Sequence, residues 1–186
     1  MAIKWKHDDS TTMYFCTFTC YGWLSLIEQV NGYDTIYKWF DHLKEQGYGT
    51  IAYVIMPNHV HTIHYFPEPG FNLNRIPGNA KRFMAYEIIK RLEQANEQDT
   101  LNYLANSITE RERKKGQLHK VSTDSFDAKG IYNEKFFNQK LKYIHRNPVT
   151  GKWKLAIDYT DYDHSSASLY ESGVIKKYMP FDYGLM

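Results

Sequence analysis

The sequence has little of several features that mark whole classes of protein. It holds only two cysteines, Cys16 and Cys20, in 186 residues, which excludes the disulfide framework of small secreted domains. Residues four apart on a strand lie too far apart to bridge easily, so we expect both thiols to be reduced and buried. No run of eighteen apolar residues occurs, and the first twelve residues are polar. We therefore expect a soluble, cytoplasmic protein.

The sequence also lacks a strong net charge. Lysine and arginine number 23 against 21 acidic residues, a formal charge of +2, so any polyanion must be bound by local clusters of basic side chains. Aromatic residues, in contrast, are abundant at 16%, and 16 of them are tyrosines. The length suits one domain with a substantial core. We expect this domain to span residues 1–186 and its core region to span about 12–170.

Strand and helix patterns alternate along the chain. Runs of β-branched and aromatic residues predict strands at 12–24, 50–56 and 59–66, with a weaker extended region within 119–132. Periodic apolar residues predict helices at 32–47, 79–98 and 133–148, a loop at 67–78, a polar helical segment holding the run 110–116, and an irregular tail at 162–173. The order β-α-β-β-α-β-α predicts an α+β fold, with an antiparallel sheet and helices packed on it.

Two histidines stand one residue apart in the third predicted strand, "HVHTIHYF". Side chains alternate along a strand, so His59 and His61 face one way and His64 faces the other. Two imidazoles placed in this way can converge on one metal ion. With 8 histidines in the chain, however, the expected number of His-x-His pairs is about one third by chance. The pair alone therefore leaves a metal site and two packed histidines as open alternatives.

The last predicted helix contains a tyrosine and an asparagine at a spacing that sets them on one strip. Phe136, Phe137, Leu141 and Ile144 form its apolar face, and the strip lies at the rim of that face. A phenol and an amide oxygen at this rim can point into a cleft between helix and sheet. Chance predicts about one Tyr-x-x-x-Asn pair in such a chain, so this spacing does not decide the matter either. The residues on the strip are Lys140, Tyr143 and Asn147.

Four ordered sequence blocks together resemble a known family. "VIMPNHVHTIHYF" is similar to the signature strand of the HUH single-strand endonucleases, in particular the tyrosine transposases of insertion sequences and REP elements. "FFNQKLKYIHRNPV" resembles the tyrosine helix of that family, "YFCTFTCYGWLSLI" its opening strand, and "YDHSSASLY" its Ser-Ser-Ala segment. The blocks cover most of residues 12–170. The resemblance implies an HUH-like, ferredoxin-like fold.

The resemblance also implies a role for each residue of the proposed site. His59, His61 and Asn147 match the metal ligands, and Tyr143 matches the single nucleophile. With Mg²⁺ or Mn²⁺, such an enzyme cuts single-stranded or hairpin DNA, forms a 5′-phosphotyrosine and rejoins the strands. Relatives occur as monomers and as dimers, so a homodimer stays open. The chain departs from the family at Ser122-Thr123, where a Trp-Gln pair is common, which puts DNA sequence preference in doubt.

Basic side chains are candidates for contacts with DNA phosphates. They are Lys81, Arg82, Lys90, Arg91, Lys140 and Arg146, with the run 110–116 as a further cluster. A solvated helix face explains most of them equally well.

Two other functions compete with the strand transferase. One is a degenerate or domesticated relative that binds structured single-stranded DNA without cutting it; the intact set His59, His61, Tyr143 and Asn147 argues against it. The other is a zinc hydrolase with a His-x-His pair in a (β/α)₈ barrel. Such a barrel needs about 250 residues, more than this chain has, so this alternative is rejected.

Overall fold

A four-stranded antiparallel sheet organises the protein. The computed structural model describes residues 11–68, 75–123 and 127–181. In these residues the strands are β1 (Met13–Thr19), β2 (Gly49–Ile55), β3 (His59–Tyr65) and β4 (Asp127–Gly130). They lie in the order β2-β3-β1-β4, and each neighbouring pair is antiparallel. This is the order of a ferredoxin-like sheet, and it confirms the predicted fold class.

Helices cover both faces of the sheet. They are α1 (Leu26–Gln29), α2 (Tyr33–Glu45), α3 (Arg75–Gln94), α4 (Gln98–Asn106), α5 (Glu110–Lys114), α6 (Glu134–Arg146) and α7 (Ala167–Ser172). None of the helices in the described residues is both long and apolar enough to cross a membrane.

Helices α2 and α3 lie on one face, over the larger part of the core. The α2 side chains Trp39, Phe40 and Leu43 are buried there, as the helical period predicts. Tyr53 and Val60 meet them from the sheet. Both cysteines are buried in this cluster as free thiols, which agrees with the prediction from their spacing. Burial in apolar surroundings raises the pKa of the Cys20 thiol to about 12.

Helix α6 lies on the opposite face, over a second and smaller core cluster. Ile144 is fully buried against this face, and Phe136, Phe137 and Leu141 pack on the same cluster. The predicted apolar face of the helix is therefore confirmed. The predicted cap is confirmed too, because the Asn133 side chain accepts a hydrogen bond from the Phe136 backbone N–H.

Three predicted boundaries are wrong. Strand β1 ends at Thr19 rather than at residue 24, because residues 21–23 form a 3₁₀ turn in which Gly22 and Trp23 adopt positive φ. Helix α3 begins at Arg75 rather than after Gly78, since proline is tolerated in the first turn of a helix, where its missing N–H costs nothing. It ends at Gln94 because Asn96 adopts φ +55°, and α4 follows as a separate helix. Of the predicted loop at 67–78, residues 69–74 lie outside the described residues.

The tail is more ordered than the sequence predicts. It holds the short helix α7, and residues 164–166 run along the edge strand β2. Ile55 N–H donates to the His164 carbonyl (2.8 Å) and Ser166 N–H to the Tyr53 carbonyl (3.0 Å). We refer to residues 164–166 as the edge segment.

Candidate active site

Strand β3 presents two histidines to α6 and one to α2. His59 and His61 lie on the α6 side, with ring centroids 4.8 Å apart. His64 lies on the other side, against Trp39 and Phe40. The alternation of side chains along a strand predicts this division, and the pairing of β3 between β1 and β2 fixes it.

Helix α6 brings the tyrosine and the asparagine to the histidine pair. Tyr143 Oη lies 3.2 Å from His61 Nε2, and Asn147 Oδ1 lies 3.1 Å from His59 Nε2. Asn147 directly follows the last residue of the helix, as its C-cap, and is the first residue of a 3₁₀ turn, Asn147–Val149. The four residues singled out in the sequence thus meet, although more than eighty positions separate the strand from the helix.

These residues line a cleft between β3 and α6, which we call the β3–α6 cleft. Its volume is about 580 Å³. Its walls come from β1, β3, α6 and the turns beside them: Thr17, Thr19, Trp23, His59, His61, Gln139, Lys142, Tyr143, Arg146, Asn147, Thr150, Gly151 and Trp153.

The buried side chain of Asn58 fixes the tautomer of His59. Its Nδ2 donates to the Trp23 carbonyl (2.9 Å), so its Oδ1 is the atom that faces His59 Nδ1 at 2.7 Å. An oxygen acceptor requires the proton to sit on Nδ1, which leaves a lone pair on His59 Nε2. Burial lowers the pKa of His59 to about 4, so the ring is neutral at pH 7.

His59 Nε2 lies 3.1 Å from the side-chain amide of Asn147. The lone pair on Nε2 and the amide oxygen of Asn147 are donors that can both bind one cation. A second-shell partner on the far ring nitrogen is the usual feature of a metal-bound histidine, and Asn58 supplies it. This arrangement of donors fits a divalent metal ion.

His61 is oriented in a similar way. Its Nδ1 lies 2.9 Å from the Thr17 hydroxyl, and its ring stacks on Phe15 with centroids 5.4 Å apart. Its Nε2 therefore points at Tyr143 Oη. Burial, with His59 as a further cause, lowers the pKa of His61 to about 3, so this ring is also neutral and able to bind a metal.

The donor set is open rather than closed. In the part of the chain that the structure describes, no group of three or more His, Cys, Asp or Glu side chains could hold a metal. Two imidazoles and one amide oxygen leave coordination positions for oxygen atoms of a substrate. An open site of this kind suits catalysis better than a structural role.

Tyr143 is exposed enough to meet a substrate. Its side chain is 49% exposed, and its ring meets Phe15 edge-on at 5.9 Å. The Lys140 ammonium, one turn earlier on α6, lies 4.4 Å from the Phe15 ring centroid and 5.7 Å from that of Tyr143. The phenol therefore stands at the mouth of the cleft beside a cation.

The predicted DNA-contact residues divide between the two faces of the sheet. Lys140 and Arg146 lie on α6, and Arg146 lines the β3–α6 cleft. The other four lie on α3, on the opposite face, where the Lys81 ammonium donates to the Thr123 carbonyl and Arg91 forms an ion pair with Asp34 (2.8 Å). They are Lys81, Arg82, Lys90 and Arg91. The cluster at 110–116 includes the exposed helix α5.

Sequence reasoning missed the residues that support the site. Asn58 was interpreted only as part of a turn, although its position next to His59 is a usable signal. Thr17 could not be identified, because its position opposite His61 depends on the register of two strands distant in sequence. Trp23 and Trp153, which flank His59, had no motif to mark them.

Comparisons with known proteins bear on the fold of this chain. No protein-family model matches the sequence, and no curated protein matches it. Among solved structures, a REP-associated tyrosine transposase bound to a REP hairpin is 16% identical, with a TM-score of 0.63 over 95% of this chain and 91% of that one. A "putative transposase" from Deinococcus radiodurans is 15% identical, with a TM-score of 0.41 over 76% and 94% of the two chains. The first likeness shows that the two chains share a fold.

Proposed function

We propose that this protein is a transposase-like enzyme that cuts and rejoins single-stranded DNA, with Tyr143 as its nucleophile. One observation carries the proposal. The Tyr143 hydroxyl lies 3.2 Å from His61 Nε2, and the Asn147 side chain lies 3.1 Å from His59 Nε2, so that one tyrosine, two imidazoles and one amide meet in the same cleft. The likeness in fold to a REP-associated tyrosine transposase supports the same conclusion.

His59, His61 and Asn147 are the residues that would hold Mg²⁺ or Mn²⁺. A divalent ion bound there neutralises the charge that develops on a scissile phosphate. The hydrogen bonds from Asn58 and Thr17 keep the two Nε2 atoms directed at that point, which reduces the reorganisation needed when substrate binds.

The protein's own atoms perform the bond exchange. Tyr143 Oη attacks the phosphorus, the P–O3′ bond breaks, and the strand remains attached to the protein as a 5′-phosphotyrosine. The phenol proton passes to water in the open cleft, and the departing 3′ oxygen takes up a proton. Because the aryl ester conserves the phosphodiester bond energy, a later attack by a 3′-hydroxyl rejoins strands without ATP.

Basic groups beside the cleft bind the negatively charged backbone of the DNA. The Lys140 ammonium lies 5.7 Å from the Tyr143 ring centroid, where it can face the negative charge of the attacked phosphate. Lys142 and Arg146 line the cleft and contact backbone phosphates on either side of the cut. The α3 residues Lys81, Arg82, Lys90 and Arg91 stay predicted contacts for a longer or hairpin DNA that passes around the sheet.

The experiment is to incubate the protein with labelled hairpin DNA carrying single-stranded extensions, and to look for an adduct on a denaturing gel. The protein with Mn²⁺ gives a covalent band, and chelation with EDTA removes it. Tyr143→Phe removes the band, whereas Tyr86→Phe, at an exposed tyrosine on α3, keeps it. Binding of the hairpins without any adduct would instead favour the non-cutting relative. An adduct that survives Tyr143→Phe would sink the assignment of the nucleophile.

The contact between Tyr143 and His61 lies within one chain, which supports use of the tyrosine on the histidines of the same molecule. Mixing His61→Ala protein with Tyr143→Phe protein tests this. Recovery of the adduct in the mixture would instead require a homodimer that exchanges the tyrosine between subunits.

A further inference from the structure

A tryptophan stands exposed at the edge of the β3–α6 cleft. The side chain of Trp23 is 60% exposed, more than that of Tyr143 at 49%, the other exposed aromatic residue that lines the cleft. The Trp23 ring meets His59 edge-on, with centroids 5.8 Å apart. An exposed indole at the edge of a cleft offers a flat, largely apolar face to a ligand.

The backbone holds Trp23 in this position against its own preference. Gly22 and Trp23 adopt φ +62° and +58°, the left-handed region, which glycine enters freely and a bulky aromatic residue rarely does. A side chain at position 22 would meet Tyr103 Oη at 2.9 Å, so glycine is needed there. Strain of this kind persists where the surrounding structure enforces it, often at a binding site.

The enforcing contact comes from the proposed metal site. Asn58 donates from Nδ2 to the Trp23 carbonyl, and the same amide accepts from His59 Nδ1. One buried side chain thus fixes the orientation of a proposed metal ligand and the position of the exposed indole. The two features are set relative to each other through one rigid amide.

A second tryptophan, Trp153, also lies beside His59 and lines the same cleft. The ring centroids of Trp153 and His59 lie 6.2 Å apart, and the Lys152 ammonium lies 5.2 Å from the Trp153 ring centroid. Trp153 is half-buried and packs against the core cluster under α6, so it is a fixed wall rather than a free platform.

The charge of the cleft favours a polyanion. Two of its lining residues, Lys142 and Arg146, are cationic, and none of the lining residues is an aspartate or glutamate. An aromatic ring beside cations is the combination by which proteins hold single strands, with a base on the ring and phosphates on the basic groups.

We propose that Trp23 stacks on an unpaired DNA base next to the scissile phosphate, with Trp153 as a fixed wall of the same cleft. This base subsite rests on the proposed function and specifies how the site holds its substrate. Because every base has a π-face, the subsite holds a nucleotide in place without reading its identity. It keeps the flanking nucleotide unstacked from its neighbours and so positions the phosphate beside Tyr143.

The test measures DNA binding in EDTA, where no cutting occurs. The probe is a fluorescent hairpin with single-stranded extensions of randomised sequence, together with versions that carry one abasic site at each successive position. Trp23→Ala is expected to weaken binding by about tenfold or more, the scale of one lost base stack. Trp23→Phe keeps most of the affinity, and Tyr86→Ala, at an exposed aromatic residue on α3, keeps all of it.

The abasic series identifies the partner of the indole. At one position, removing the base weakens binding to the unmodified protein but leaves the affinity of Trp23→Ala unchanged. Equal binding by Trp23→Ala and the unmodified protein overturns the base subsite, as does an abasic loss that is the same in both proteins at every position. If the unmodified protein forms its adduct in these cases, only the subsite fails; if it neither binds nor cuts, the proposed function fails as well.

Discussion

Strand β3 carries three histidines, and the two faces of the sheet use them in opposite ways. On the α2 face, His64 is sealed in the core, with its Nδ1 3.2 Å from the Thr50 hydroxyl and Trp39 against its ring. On the α6 face, His59 and His61 direct Nε2 atoms at oxygen atoms in a cleft. All three are almost completely buried and all three have lowered pKa values. The proposed ligands therefore differ from the core histidine in the surroundings of Nε2, which faces Asn147 in His59 and Tyr143 in His61.

The largest effects are expected when one histidine is removed from each face of the sheet. His61→Ala is expected to lower adduct formation at least about 100-fold, above what loss of a second-shell partner usually costs. His64→Ala instead leaves a cavity in the core and lowers the free energy of unfolding by about 2 to 4 kcal/mol. Urea unfolding and the denaturing gel, with yields expressed per folded molecule, measure the two effects.

His64→Ala should retain its adduct in conditions where it is folded, and His61→Ala should lose only about 1 kcal/mol of stability. If His61→Ala and His64→Ala lose adduct formation to the same extent, or lose stability to the same extent, the two faces of the sheet do not differ as described.

A low pH destabilises a protein that buries a neutral histidine. The folded-state pKa of His64 is about 3, whereas an unfolded histidine has a pKa near 6.5, so the unfolded chain binds the proton first. Its contribution to stability is complete above pH 6.5 and is lost as the pH falls toward 3. One such group adds a slope of up to about 1.4 kcal/mol per pH unit.

His64→Gln cannot take up this proton and should flatten the pH dependence of unfolding by up to that amount. The window from pH 5.5 to 6.5 isolates the histidines, because the carboxyls of Asp34 and Glu112 have pKa values of about 2 in the folded protein and about 4 in the unfolded chain, so that both states have lost these protons. His59, His61, His145 and His164, all with lowered pKa values, maintain the remaining slope. An unchanged slope in His64→Gln contradicts the assignment.

A finer test compares the hydrogen-bond partners of the histidines. Asn58→Ala is expected to weaken Mn²⁺ binding about 10- to 100-fold, because His59 loses the acceptor that directs its Nε2. Thr50→Val, which removes the partner of His64, should leave Mn²⁺ affinity unchanged. Calorimetric titration without DNA measures both.

Asn58→Asp separates the two roles of this amide. It keeps the acceptor for His59 and loses the donor to the Trp23 carbonyl, so metal affinity should survive. A loss as large as that of Asn58→Ala would show that the contact with Trp23 matters more than the tautomer.

The smallest expected effect concerns charge on the two faces. Lys140→Gln should slow adduct formation several-fold, since the negative charge of the reacting phosphate loses a nearby cation, a change of about 1 kcal/mol. Lys140→Arg should keep most of the rate, and Lys38→Gln, on α2, should not change it. Single-turnover rates at saturating DNA distinguish these cases from weaker binding.

Much of this architecture can be predicted from the sequence because it follows from local rules. Alternation along β3 separates His64 from His59 and His61, and the helical period of α6 sets Tyr143 and Asn147 on one strip. The resemblance to a family of known fold then indicated that the strip and the strand meet. The fold class is confirmed, and the roles of the four residues stay proposals.

The remainder depends on contacts between distant segments, which carry no local signature. Thr17 reaches His61 through the register of β1 on β3, and the indole of Trp23 depends on a left-handed turn and a distant amide. Net charge gave no indication that the cationic groups of the cleft would stand without a carboxylate among them. The start of α3 was misplaced because proline was interpreted as a loop signal without regard to its position in a first turn.

The edge segment has a consequence for assembly. A sheet that ends in an unpaired strand offers its backbone to strands of other molecules, and residues 164–166 occupy that position on β2. The same segment holds α6, because the Ser166 hydroxyl bonds both His145 Nε2 (2.9 Å) and the Tyr53 backbone. Protection against aggregation and the alignment of Tyr143 therefore depend on one short stretch of chain. We expect a chain cut before residue 164 to expose the edge of β2 and to lose the contact of Ser166 with α6 together.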